Sequence, residues 1–175
     1  ILRCLAAAYT GGEQATVESP LKGKRLDPHS RRSSVQFYER DTWIAALMRH
    51  LIWSANDAVW QYDLKEIQVV QLTSYGQGDF FAWHKDTGDG AYGSESRPEW
   101  HGLVRKLSVT LLLSSTEECE GGAFQIKDEY GHIWRDPGFV ERGSAIVFPS
   151  NLLHQVLPVT AGKRLSAVAW ALGPP

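Results

Sequence analysis

Tyr75-Gly76-Gln77-Gly78-Asp79-Phe80-Phe81-Ala82-Trp83-His84-Lys85-Asp86 is the stretch on which the fold turns. Gly76 and Gly78 are turn residues between two extended runs. Ile67 to Thr73 reads as the first strand and Asp79 to Trp83 as the second, which runs into a histidine and an aspartate. Residues two apart in an extended segment point to the same side. The His84 imidazole and the Asp86 carboxylate therefore project from one face, about 7 Å apart at Cα. Such a pair can converge on one ion; the plainer alternative is a surface ion pair.

Outward from this stretch the β pattern continues. Leu107, Val109, Leu111 and Leu113 alternate with Ser108, Thr110 and Ser114, apart from Leu112. Ala123 to Lys127 and His132 to Arg135 read as short strands joined by a hairpin turn, Asp128-Glu129-Tyr130-Gly131, which leaves His132 at the surface. Ser144 to Phe148, Gln155 to Val159 and Arg164 to Leu172 complete the set. Many short strands separated by turns predict a mostly β protein with supporting helices (α+β), built on a double-stranded β-helix or jelly roll. The clearest helix is Asp41 to Tyr62. Ile44, Leu47, Met48, Leu51, Ile52 and Ala55 fall on one face, and Asp41 or Thr42 is placed to cap it. Trp43, Trp53 and Trp60 read as packing residues, and the helix is expected to support the outside of a sheet.

Further upstream the pattern weakens. Ile1 to Tyr9 suits a strand or a helix end, and Gly11 to Asp27 is polar and turn-rich. Arg31-Arg32-Ser33-Ser34 reads as the entry to a strand at Val35 to Tyr38 rather than as a phosphorylation site. The expected organisation is one domain over residues 1–175, with an N-terminal support region at 1–64 and a jelly-roll core at 65–172. A chain of 175 residues can bury roughly 70% of its unfolded surface in one core. Its 43% apolar and 22% charged residues are those of a soluble globular protein. A net charge of −2 creates no field that would gather nucleic acid, and no apolar run reaches membrane-spanning length. Nucleic-acid and membrane partners are therefore not expected. Cys4 and Cys119 make no disulfide framework, which fits a cytoplasmic setting.

The chemistry accumulates downstream. His154 opens an apolar run after Phe148-Pro149-Ser150-Asn151. Two histidines and one carboxylate, with nothing to complete a tetrahedral cage, are the donor set of non-haem Fe(II) oxygenases. The alternative is a histidine that merely caps a strand. Ten residues on, Gly162 and Lys163 make a turn and Arg164 opens the next strand facing inward. A buried guanidinium needs an anion. Few acids lie nearby in sequence, and a ligand carboxylate gripped by both arms of the fork would serve. His101 is not needed as a further ligand.

In order and spacing these residues resemble the Fe(II)/2-oxoglutarate dioxygenases of the prolyl 4-hydroxylase type, and most closely their PKHD-type branch. The resemblance covers about residues 65–172. It rests on Tyr75 nine residues before His84, on His84, Asp86 and His154, and on Arg164 ten after His154. It also rests on Arg105-Lys106-Leu107-Ser108, on Glu120-Gly121-Gly122, on Gly143 to Pro149, and on Trp170 six past Arg164. It implies His84, Asp86 and His154 as iron ligands, with no catalytic group beyond the metal centre. It implies Tyr75, Arg164 and Ser108 as contacts for 2-oxoglutarate, and Trp170 as part of the pocket wall. The cofactors implied are Fe(II), 2-oxoglutarate as co-substrate and ascorbate as reductant. The activity implied is hydroxylation of an unactivated C–H bond, with release of succinate and carbon dioxide. Asp86 sets the chain apart from the related halogenases, which carry a small residue there.

Residues 87–104 are rich in glycine and small polar side chains and begin at the rim of the proposed site. Long loops in compact domains are commonly lids or binding loops. This segment is expected to contact substrate through Tyr92 and Arg97, together with Trp170, and to order on binding. Proline in a peptide is the substrate the resemblance favours. A free amino acid or other small molecule is the alternative, and a non-catalytic cupin-like metal-binding jelly roll belongs to a different class.

Overall fold

The structure is a computed structural model that describes residues 9–19, 23–25, 27–88, 90–135 and 139–175. Cys4 and most of the Ile1–Tyr9 segment lie outside the described residues. In chain order the strands are β1 (Glu13–Gln14), β2 (Val17–Ser19), β3 (Gly23–Arg25), β4 (Arg31–Arg32) and β5 (Ser34–Tyr38). The helix α1 (Trp43–Ala58) follows, then β6 (Glu66–Ile67), β7 (Val70–Tyr75) and β8 (Phe80–His84). After a single helical turn at Pro98–Trp100 come β9 (Val104–Leu112), β10 (Cys119–Gly121), β11 (Phe124–Lys127) and β12 (Ile133–Trp134). The chain ends with β13 (Ala145–Pro149), β14 (Leu153–Val156), β15 (Val159–Gly162) and β16 (Arg164–Gly173).

Two antiparallel sheets form the jelly roll. The larger runs β1-β5-β7-β16-β9-β13, with β6 also against β16; the smaller runs β12-β11-β14-β8-β4. The outer face of the larger sheet carries α1. Ile44, Ala45, Met48 and Ile52 bury against Val70, Leu72, Leu107, Val109, Leu111 and Leu165. Ala167, Ala169 and Ala171 of β16 belong to the same cluster; their short side chains let a helix lie close to the strand. The opposite face looks onto the smaller sheet and buries Tyr75, Leu112, Phe124, Phe148, Val156 and Val159. Side chains alternate along a strand. Burying the alanines of β16 outward therefore turns Arg164, Ser166, Val168 and Trp170 inward. The same alternation puts Ser108, Thr110 and Leu112 of β9 on the inner face. Leu112 does not break the pattern: it is where that inner face becomes apolar.

The helix is shorter than the expected Asp41–Tyr62 span, and its expected cap is absent. Thr42 occupies the N-cap position, but its hydroxyl donates to the Glu39 carbonyl at 2.7 Å rather than to the helix. At the other end the Asn56 side chain both donates to Tyr62 O (3.0 Å) and accepts from Tyr62 N (2.9 Å). With Gln61 at φ 55°, this turns the chain out of the helix before Tyr62. The single strand expected at Gln155–Val159 is two strands, because Pro158 cannot donate to a ladder and the chain changes sheets there. Turn-rich residues 11–27 hold β1, β2 and β3, short elements whose pairing is set by partners. β1, for example, lies along the edge of β5 with Glu13 opposite Val35.

Candidate metal centre

β8 and β14 are antiparallel neighbours, and His154 stands directly opposite His84. Asp86 follows β8, its backbone N–H donating to Ser150 O at 2.9 Å. The ligand atoms of His84, Asp86 and His154 all lie within 4.8 Å of one another. His84 Nε2 is 3.7 Å from Asp86 Oδ1, and His154 Nε2 is 3.4 Å from Asp86 Oδ2.

Each ring is oriented by its own strand. His84 Nδ1 lies 2.8 Å from Ala82 O and His154 Nδ1 lies 3.0 Å from Leu152 O. A carbonyl only accepts, so each Nδ1 carries a proton and each Nε2 is the ring atom turned to Asp86. Burial, with His154 beside it, pushes His84 down to about 3. Burial alone would raise the Asp86 carboxyl, but His154, His84, Arg105 and the Ser108 hydroxyl outweigh it and hold Asp86 below its ordinary value. Two imidazole Nε2 atoms and one carboxylate, converging on one point, fit a divalent iron with open positions.

Around the triad, Ser108 Oγ donates to Asp86 Oδ2 at 2.7 Å and lies 2.9 Å from Ser150 Oγ. Ser108, expected as a co-substrate contact, thus commits its single proton to the carboxylate ligand. Arg105 donates from Nη1 to Asp86 O (3.2 Å) and from Nε to Gln68 Oε1 (2.6 Å). Gln68 in turn donates to the Tyr92 hydroxyl at 2.9 Å. The Arg105 guanidinium stacks 4.0 Å over the Trp170 ring, whose buried Nε1 has no hydrogen-bond partner among the described residues. Phe81 stacks on His84 at 3.5 Å, and Arg31 lies 4.5 Å over Phe81. Gln68, Ser150 and Arg31 carry no sequence signal of their own; Arg105 did, in the Arg105-x-x-Ser108 pattern.

Arg164 behaves as its predicted register requires. It stands opposite Tyr75 and is 4% exposed, while Lys163 is exposed over the Tyr9 ring. Arg164 Nη1 donates to Ser166 Oγ at 3.0 Å. Among the described residues no carboxylate lies within ion-pair distance of it. Burial pulls its pKa below the ordinary value, the mark of a cation short of compensation. A cavity of about 180 Å³ ends on Arg164, walled by Leu112, Cys119, Phe124 and Phe139; the triad does not line it.

Within the expected loop, residues 92–103 close on themselves. Tyr92 N donates to Leu103 O and Gly102 N to Tyr92 O, both at 2.9 Å, and Tyr92 packs on Trp100. Arg97 turns to Glu39 at 3.2 Å rather than toward the triad, and His101 Nε2 meets Ser96 O at 3.1 Å. Tyr92 joins the metal surroundings through Gln68; Arg97 does not. Among the described residues no helix is long and apolar enough to cross a membrane.

Comparison with known proteins agrees with this geometry. A PKHD-type hydroxylase of Shewanella oneidensis is 40% identical over 97 residues, 55% of this chain and 39% of that protein. Another, from Idiomarina loihiensis, is 32% identical over 107 residues, 61% and 43% of the two chains. The chain thus spans about two fifths of the length of these curated relatives. The crystal structure of a Pseudomonas putida prolyl-4-hydroxylase superposes with a TM-score of 0.66 at 20% identity, covering 97% of this chain and 84% of that one. A Trichoplax adhaerens prolyl hydroxylase, solved with a peptide fragment of the hypoxia inducible factor oxygen degradation domain, gives 0.67 at 14% identity over 97% and 74%. At those identities the likeness is one of fold. The model of the 2OG-Fe(II) oxygenase superfamily matches residues 70–172, the span that holds the triad, Tyr75 and Arg164, and the chain belongs to that superfamily.

Proposed function

We propose that this chain is the catalytic core of an Fe(II)- and 2-oxoglutarate-dependent hydroxylase that places one oxygen on a proline of a peptide, releasing succinate and carbon dioxide. The observation that carries the reading is a buried Arg164 with no acid in reach among the described residues, set on the inner face of the larger sheet across from the β8 and β14 histidines. His84, Asp86 and His154 would hold the iron, which when bound supplies the activation of dioxygen and of the C–H bond. The chain supplies the geometry. Arg164 holds the far carboxylate of 2-oxoglutarate with both arms of its fork, and Tyr75 donates to it. Ser108 and the Asp86 backbone contact with Ser150 fix the carboxylate ligand. Trp170 and Arg105 shape the wall beside the metal, with Tyr92 tied to them through Gln68. The names of the two relatives support a hydroxylase for this chain, and those of the two structures the prolyl type.

The experiment is direct. Protein with Fe(II), ascorbate and 2-oxoglutarate should release succinate, and a panel of proline-containing peptides should include one that gains a single oxygen by mass spectrometry. Succinate release with oxygen gained only by a free amino acid would replace the peptide substrate with a small one. No succinate under any condition would favour a non-catalytic metal-binding jelly roll.

A further inference from the structure

Gly121 and Gly122 carry the chain out of β10 toward β11. Both sit in the left-handed region, at φ +74° and +61°, and the space beside them differs. A Cβ on Gly121 would come within 2.7 Å of Pro158 O and 2.8 Å of Thr160 N, which are backbone atoms. A Cβ on Gly122 would stand 2.8 Å from Arg164 Cδ and 3.0 Å from Val159 Cγ2. Packed carbons keep about 3.5–4.0 Å. The Gly122 backbone is itself fixed, its N–H donating to Pro158 O at 3.0 Å. A side chain at 121 therefore collides with the sheet, whereas one at 122 collides with the stem of the buried arginine.

We propose that Gly122 is a positioning residue for Arg164. The missing side chain sets where the arginine stem runs and so where the fork points. Through the fork it sets the preference for a 2-oxo acid that bears a second carboxylate. The inference rests on the reading that Arg164 binds that carboxylate. The stem passes Gly122 and Val159, and Nη1 is held by Ser166. A shift of a few tenths of an ångström at Cδ is passed on to the planar fork, and bidentate contacts tolerate little misplacement.

The test is a matched pair. Gly131 has φ +87° and nothing within 4 Å of a built Cβ. Gly131→Ala therefore carries the backbone strain of Gly122→Ala without its collision. Binding is read by calorimetry on the anaerobic Fe(II) protein, with 2-oxoglutarate and with 2-oxobutyrate, which lacks the far carboxylate. Gly122→Ala should weaken 2-oxoglutarate by about tenfold or more and leave 2-oxobutyrate unchanged, so that the discrimination between them narrows. Gly131→Ala should change neither. Equal weakening of both acids by Gly122→Ala, or of neither, overturns the proposal. In turnover the same variant should raise KM for 2-oxoglutarate and preserve kcat at saturation. Should Gly122→Ala fail to fold, Gly122→Ala combined with Arg164→Ala decides the matter. Removing the stem removes the shortest contact, the 2.8 Å one to Arg164 Cδ, and leaves only the end of the Val159 side chain at 3.0 Å, so folding should return; a double variant that stays unfolded overturns the proposal. Failure of the underlying reading looks different: Arg164→Ala alone would then leave 2-oxoglutarate binding intact.

Discussion

Arg164 and Tyr75 face each other across β16 and β7, the first residue of one strand opposite the last of its antiparallel neighbour, with the guanidinium carbon 5.6 Å from the phenol ring. Both side chains are buried, at 4% exposure each, and both lie on the inner face. A cation and a hydroxyl donor thus share one end of the space between the sheets. An anion with a carboxylate at its end is the ligand this pairing suits.

Removing the cation should be costly to that ligand alone. Arg164→Ala should weaken 2-oxoglutarate by about two orders of magnitude or more, because the ligand charge is left buried and unpaired. Arg164→Lys keeps the charge and loses the fork, so it should fall between. Tyr75→Phe deletes one hydrogen bond to a charged group, about 1.5–3 kcal/mol. Lys163→Ala should do little, since Lys163 is exposed. Iron affinity should be unchanged throughout. Calorimetric titration of the four variants checks this, and a Lys163→Ala protein that loses 2-oxoglutarate while Arg164→Ala keeps it would contradict the register.

Ser108 gives a second prediction. Its hydroxyl is the side-chain donor to Asp86 Oδ2, and residues that orient metal ligands typically contribute about 10–100-fold to affinity. Ser108→Ala should weaken Fe(II) by an amount in that range, while 2-oxoglutarate affinity at saturating iron stays close to normal. If Ser108 were chiefly a co-substrate contact, the order of the two effects would reverse. Equilibrium binding of each ligand separates the outcomes.

The core offers a third. Met48 and Ile52 are fully buried between α1 and the outer face of the larger sheet. Truncating either to alanine leaves a cavity and should cost about 2–5 kcal/mol in urea unfolding. Trp43→Ala should cost much less, because Trp43 is 50% exposed. It is the one tryptophan of the helix region that the packing expectation misplaced.

Much of the site could be read from the sequence because it obeys short periods. His84 and Asp86 lie two apart, and Arg164 follows a glycine turn at the head of an alternating strand whose face is set by its alanines. The supports could not be read that way. Ser108, Asp86 and Ser150 meet from three separated segments, and only the pairing of β13 with β9, with Phe148 opposite Ser108, brings two of them together. The helix end was hidden for a similar reason, since Asn56 closes on Tyr62 through its side chain, a contact that no period signals. β1 to β3 are too short to carry a period.

His84 carries the last prediction. Burial, with His154 beside it, lowers its pKa in the folded protein from 6.5 to about 3. In the unfolded chain the same imidazole gains its proton as the pH falls through 6.5. Between these limits the unfolded state binds more protons than the folded one, so stability is lost as the pH falls. The metal-free protein should therefore weaken progressively below about pH 6.5, by up to about 1.4 kcal/mol per pH unit from this group. Asp86, also held low, adds a loss only below the ordinary carboxylate range. His84→Asn removes the titration while keeping a neutral polar side chain. Urea unfolding at pH 7.5, 6.0 and 5.0 should show the wild-type protein losing stability relative to His84→Asn as the pH drops. A constant difference between the two across that range would mean that His84 titrates in the folded state as it does in water. Its Nε2 would then not be the ready, unprotonated donor that burial of the ring implies.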